Sequence, residues 1–185
     1  FLEKLQPKMF LFENVRGLVS HDKGKTYATM LAIFEQAGYT IDKQVLNAWD
    51  YGVPQKRERL ITIGIRNDLV DYTHYEFPKK HEYKPVLRDI LLDCPEGPGV
   101  QYGEKKKKLF ELVPAGGYWK DIDPEMDKDY MKSCWNMEGG RTGILRRLSL
   151  DEPSLTVLTS PSQKQTERCH PLEARPFTVR ENARC

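Results

Sequence analysis

No stretch of this 185-residue sequence reaches the run of about 18 apolar residues that a membrane-spanning helix requires. Its start lacks the basic and apolar regions of a secretory signal. Neither sign of charge dominates: 29 Lys and Arg against 27 Asp and Glu leave a net charge of +2. Any nucleic-acid surface must therefore come from local clustering rather than bulk charge. Cysteine is sparse, and Cys94, Cys134, Cys169 and Cys185 stand apart without a CxxC pair. That spacing argues against a structural zinc site, no metal is expected, and reduced thiols in a cytoplasmic protein are the reading. No internal repeat is present. The first residue is Phe1 and the last three are Ala183-Arg184-Cys185, so both ends read as cut edges of a longer protein.

What is present begins with alternating classes of element. Lys8–Phe12 is a short apolar run that stops at Glu13-Asn14 and predicts a buried strand with polar residues at its carboxyl end. Tyr27, Met30, Leu31 and Phe34 share one helical face, and Gly38 suits a helix stop, so a helix is predicted over 24–38. Strands are predicted at Thr40–Ala48 and at the β-branched run Leu60–Ile65, with a loop over Asp50–Arg59 carrying Gly52 and Pro54. Three strands and one helix cannot cover both faces of a sheet, so residues 1–75 read as one flank of a larger α/β sheet. Beyond Tyr75 prolines break the chain repeatedly. Short helices are predicted at Val86–Leu92, Lys105–Leu112 and Pro124–Ser133, with a short strand near Leu155–Leu158. Tyr118, Trp119, Tyr130 and Trp135 argue against disorder there.

Two segments carry chemistry. Glu13 stands at a strand's carboxyl end, where open α/β sheets place ligand groups, although a plain turn residue would look the same. Gln55, Arg57 and Arg59 alternate ahead of a strand, so their side chains point one way. Packed guanidiniums are costly unless an anion lies between them. Glu13 or a phosphate could be that anion; the other reading is a solvated edge, Glu58 included, that protects the sheet.

These residues, in order, resemble a known family. Phe12-Glu13-Asn14-Val15, a helix, then Gln55-x-Arg57-x-Arg59 before a strand look like the sixth and eighth motifs of the DNA cytosine-5 methyltransferases. Arg175-Pro176-Phe177-Thr178-Val179-Arg180-Glu181-Asn182-Ala183-Arg184 resembles the ninth. The resemblance covers essentially the whole chain. It implies a fold class of α/β type: a partial Rossmann-like methyltransferase sheet over 1–75, a small loop-rich α+β target recognition domain over 76–174, and a return to the catalytic domain over 175–185.

The resemblance also implies a reaction. Cytosine is flipped out of duplex DNA because its C5 and C6 atoms are stacked inside. A cysteine thiolate adds to C6, C5 takes a methyl group from S-adenosylmethionine, and elimination restores the ring. By resemblance Glu13 is the acid near N3 and also holds the N4 amino group, Arg59 lies near O2, Arg57 grips backbone or braces the pocket, and Asn14 and Gln55 support it. Arg175, Pro176, Thr178, Arg180 and Glu181 would be structural residues of the ninth motif. The parent would be a bacterial restriction–modification enzyme, cytoplasmic and acting on double-stranded DNA. The nucleophile's Pro-Cys pair and the glycine-rich cofactor loop do not occur in this sequence. The chain alone is therefore expected to be inactive, with a missing N-terminal catalytic segment as its partner.

Between the eighth and ninth motifs, Arg141, Arg146, Arg147, Gln163, Lys164, Gln165 and Arg168 cluster among Gly, Ser and Pro. They are the candidates for reading base edges, with Arg to guanine the commonest contact. Ser154-Leu155-Thr156-Val157 resembles the family's threonine signature, which implies that Thr156 fixes a phosphate beside the flipped base. Gly139-Gly140-Arg141-Thr142-Gly143 reads as a DNA-facing loop or a turn, and His170-Pro171 as a turn. Two other readings stay open: a DNA-binding module or subunit of a split enzyme, and an RNA methyltransferase of the same superfamily.

Overall fold

Leu60–Ile65, the run richest in β-branched residues, becomes the middle of a sheet in the computed structural model, which describes residues 1–132, 142–158 and 163–185. The chain divides into two units, Phe1–Tyr51 with Arg57–Glu82, and Gly52–Lys56 with Tyr83–Cys185. The sequence places its boundary at residue 75; the units part after Glu82, and the second also takes in Gly52–Lys56 and the ninth motif.

In the first unit a four-residue helix α1 (Leu2–Leu5) precedes strand β1 (Met9–Val15), helix α2 (Lys25–Gln36) and strand β2 (Tyr39–Asn47). Short strand β3 (Gln55–Lys56), which belongs to the second unit, comes next, and β4 (Glu58–Arg66) returns to the first. The sheet order is β1-β4-β2, with β4 antiparallel to both neighbours. The short connection after β2 accounts for the β2–β4 pairing, because a parallel neighbour needs a crossover of a dozen residues or more. β1 runs on through Glu13, which faces Ile61 in the ladder, instead of ending before it.

Helix α2 covers one sheet face. Phe34 packs edge-on against Phe10 at 5.0 Å between ring centroids, Tyr39 meets Phe10 at 5.1 Å, and the Tyr27 and Thr62 hydroxyls share a 2.7 Å hydrogen bond. That bond satisfies both groups in a buried site. Gly64 lies under the Phe10 ring, where a Cβ would stand 2.0 Å from ring carbon. On β1 the opposite face carries Met9, Leu11, Glu13 and Val15, all exposed.

The second unit holds α3 (Arg88–Leu91), α4 (Glu104–Leu112), α5 (Pro124–Met131), β5 (Ser154–Leu155) and α6 (Val179–Arg184). Its main core joins Tyr102, Phe110, Val113, Met131, Leu145 and Cys169; a second cluster joins Leu87, Leu91, Leu148 and Phe177. β5 pairs in parallel with β3, Gln55 facing Ser154 and Lys56 facing Leu155. Asp123 caps α5 by accepting from the Glu125 N–H, with Pro124 at the first helical position. No helix among the described residues is long and apolar enough to cross a membrane.

Candidate active site and recognition surface

The antiparallel register of β1 and β4 brings the first candidate pair together. Val15 faces Arg59 and Glu13 faces Ile61, so Glu13 and Arg59 are diagonal neighbours on one sheet face. Their side chains meet, Arg59 Nε lying 2.9 Å from Glu13 Oε1. Arg59 also donates to the Glu58 carbonyl at 2.8 Å, which fixes its guanidinium. The Glu13 side chain is 47% exposed and Arg59 23%, so the carboxyl group is open to a ligand while the guanidinium is braced. Arg57 precedes Arg59 by two residues, and its carbonyl accepts from Ala48 N–H at 3.0 Å, continuing the β2–β4 ladder. Asn14 bonds locally, its Oδ1 accepting from the Val15 N–H at 2.8 Å. Arg16 and Glu58 make a second exposed ion pair at 2.8 Å.

The candidates of the second unit divide into structural and open positions. Arg147 is structural: its guanidinium donates to the carbonyls of Pro171, Phe110 and Val113 at 3.0, 3.1 and 3.1 Å. Lys164 donates to the Tyr130 carbonyl, and to that of Met131 at 3.2 Å, closing the last turn of α5. Its ammonium also sits 4.6 Å from the centre of the Tyr130 ring. Arg168 donates to the Glu167 carbonyl at 2.8 Å. Burial lowers its pKa, and nearby Arg146 lowers it further. The parallel bridge between Arg147 and Cys169 accounts for this pairing, because it sets Arg146 beside Arg168 on the other side of the two segments. Arg146 stands 3.8 Å from Glu152. Gln163 is exposed at the start of the Lys164–Thr166 turn. Arg141, with Gly139 and Gly140, lies outside the described residues, as does the side chain of Gln165. The Thr156 hydroxyl donates to the Lys56 carbonyl at 3.0 Å, and Gln55 Nε2 to the Cys185 carbonyl at 2.9 Å.

The ninth motif forms a charged knot. Arg175 pairs with Glu181 and Glu173, at 2.8 and 2.9 Å. Thr178 and Glu181 make a reciprocal cap at the start of α6. Pro176 bridges to Cys169, and the stem of Arg180 lies against Gly97. Burial would raise the Glu181 carboxyl, but the Arg175 guanidinium and the Thr178 N–H outweigh it and hold the pKa at about 2. His170 is buried beside this knot, and burial lowers its pKa. Its Nδ1 accepts from the Leu172 and Glu173 N–H groups, at 3.2 and 3.3 Å. A cavity of about 490 Å³ opens here, lined by His170, Glu173, Arg175 and Glu181 among others.

Sequence reasoning missed Glu167. Its fully buried carboxylate accepts from the Tyr130 hydroxyl and the Leu145 N–H, both at 2.6 Å, and pairs with Lys106 at 2.5 Å. Nothing local in the sequence marks it, because every partner is distant along the chain. Asn47 was also missed; its Oδ1 accepts from the Arg57 N–H at 3.1 Å. Among the described residues, no group of three or more His, Cys, Asp or Glu could hold a metal ion.

Comparison with known proteins gives the family. The family model of the C-5 cytosine-specific DNA methylases matches residues 1–185. The type II methyltransferase M.Sau96I of Staphylococcus aureus is 54% identical over 185 residues, covering 99% of this chain and 43% of that protein. M.Eco47II of Escherichia coli is 48% identical over 190 residues, covering 98% and 46%. M.PspPI of Psychrobacter sp. is 47% identical over 191 residues, covering 99% and 46%. The chain spans less than half the length of these relatives. In fold it is similar to the crystal structure of a candidate DNA modification methyltransferase encoded within an E. coli prophage. There the TM-score is 0.61 at 21% identity, over 99% of this chain and 60% of that one.

Proposed function

Because this chain belongs to the C-5 cytosine-specific DNA methylase family, we propose that it supplies one wall of the cytosine pocket and the target recognition region of a type II DNA (cytosine-5) methyltransferase. The observation that carries the reading is the Glu13–Arg59 contact of 2.9 Å on one face of the sheet. Glu13 presents a carboxyl group to the N3 and N4 edge of an extruded cytosine, and Arg59 holds that group in place. A carboxyl fixed before the base arrives needs no reorganisation as charge develops on the ring. Arg57, two residues before Arg59, meets the target backbone or the pocket wall. Residues 83–174 form the target recognition region. There Arg146, Gln163 and Arg168 remain the candidates for DNA contact among side chains that are described.

The described residues do not make a site for S-adenosylmethionine. The cavity of about 490 Å³ is lined in part by Arg175, Glu173 and Glu181, whose charges already pair with one another. The methyl donor and the thiolate nucleophile are assigned to the part of the enzyme that this chain does not contain, and the chain alone is inactive. In the intact enzyme the test is Glu13→Gln, which keeps shape and loses the acid. Single-turnover methylation falls about 100-fold or more, while the Kd for duplex DNA stays within about threefold. Equal losses in rate and affinity would remove Glu13 from the acid role.

A further inference from the structure

The carboxylate of Glu167 is wholly buried and joins three distant parts of the second unit. One oxygen takes the Lys106 ammonium at 2.5 Å and the Tyr130 hydroxyl at 2.6 Å; the other accepts the Leu145 N–H at 2.6 Å. The main chain of Glu167 reaches the same turn, its N–H donating to the Gly143 carbonyl at 2.9 Å. Leu145 has a φ of 47°, a left-handed conformation that leucine rarely adopts. Its buried side chain and the bond to Glu167 hold it there.

The residues that follow these two anchors are Arg146 and Arg168. The Cys169 N–H donates to the Arg146 carbonyl at 3.0 Å, so the two segments run side by side. Stability alone does not call for a charge at this depth, because an apolar pair of like volume often serves as well as a buried ion pair. What an apolar side chain cannot do is accept the Leu145 N–H. We propose that Glu167 is a positioning residue for DNA recognition. By clasping the turn at Gly143–Leu145 to its own segment, it sets Arg146 and Arg168 next to one another as a pair for the duplex. This proposal rests on the reading that those two arginines touch DNA. Guanidiniums delivered together lose little to ordering when the duplex arrives. A turn released at Leu145 lets Arg146 wander from Arg168.

The test uses the intact methyltransferase and a duplex oligonucleotide carrying a site that the enzyme is first found to modify by bisulfite sequencing. Binding is measured at a temperature where thermal melting shows each variant folded. Glu167→Gln keeps the reach and an acceptor for the Leu145 N–H but loses the charge. Glu167→Asp keeps the charge but is one methylene short. The proposal expects the Kd to rise about tenfold in Glu167→Asp and to stay within about threefold in Glu167→Gln. In a background of Arg146→Met with Arg168→Met, the aspartate change is expected to add less than about twofold, since a residue acting through those arginines has nothing left to aim. The same tenfold loss in that background places the action of Glu167 elsewhere and overturns the proposal. An unchanged Kd in Glu167→Asp overturns it too, as does a loss confined to Glu167→Gln, which would assign the effect to charge. Should Glu167→Asp fail to fold, Lys106→Met with Glu167→Leu, an uncharged pair that fills the space, takes its place with the same expectations. Arg146→Met with Arg168→Met, in otherwise unaltered enzyme, is the control for the underlying reading. If its Kd is normal, the arginines do not touch DNA; if its Kd is weakened while that of Glu167→Asp is normal, only the positioning role has failed.

Discussion

Arg147 illustrates what separates an arginine that reads DNA from one that holds a fold. Its three acceptors are backbone carbonyls at residues 110, 113 and 171. Removing the guanidinium takes a donor from all three. Hydrogen bonds from a charged donor contribute about 1.5–3 kcal/mol each, not additively. Arg147→Met is accordingly expected to destabilise the second unit by on the order of 3 kcal/mol, measured by urea denaturation of the chain. Unaltered stability together with relaxed site preference in the intact enzyme would return Arg147 to the base readers. Along the sequence, Arg146 and Arg147 are indistinguishable: adjacent residues of one type, among the same glycines and serines. What divides them is where the partner segment runs, and that is not a local property. The same limit applies to the proposed pocket. The alternation of Arg57 and Arg59 is legible from spacing alone, but the meeting of Arg59 with Glu13 depends on the register between strands more than forty residues apart.

Among elements, the strongly periodic ones are the most legible. The helix expected over 24–38 spans Lys25–Gln36, and the strand expected over 60–65 extends to Glu58–Arg66. Their patterns are set by burial on one face or two, which composition records directly. Strand β3 was not legible. Two residues in a polar loop carry no period, and their pairing with β5 is decided by tertiary contacts. Within β4 the tightest constraint is Gly64. A methyl group there would stand 2.0 Å from the Phe10 ring, which Phe34 and Tyr39 already confine. Gly64→Ala should therefore cost about 1–3 kcal/mol, seen as a lower denaturation midpoint. A second change, Phe10→Leu, should recover part of it; additive losses from the two changes would show that the ring is not the obstacle.

For the whole molecule, acid stability follows from the knot at the ninth motif. His170 has a folded pKa below its ordinary value of 6.5 because it is buried. The unfolded chain therefore binds its proton first, and stability falls as pH drops below about 6.5. Glu181 has its pKa depressed from 4.5 to about 2. Its contribution is fully present above 4.5 and is lost between 4.5 and about 2. Thermal melting should thus show a shallow decline from neutral pH to about pH 5 and a further decline below 4.5. His170→Asn is expected to flatten the upper part alone. A melting temperature independent of pH from 7 to 5 in the parent chain would contradict the buried neutral histidine.

Strand β1 has an outward row of Met9, Leu11 and Val15 around Glu13, with Leu11 63% exposed. It is also an edge strand of the described sheet, paired with β4 alone. Leaving one such leucine in water forgoes about 1.5–3 kcal/mol that burial would return, and an unpaired edge offers amides and carbonyls to any extended peptide. A preparation of these 185 residues by themselves would consequently be adhesive at that margin. Copies would zip together there at high protein concentration.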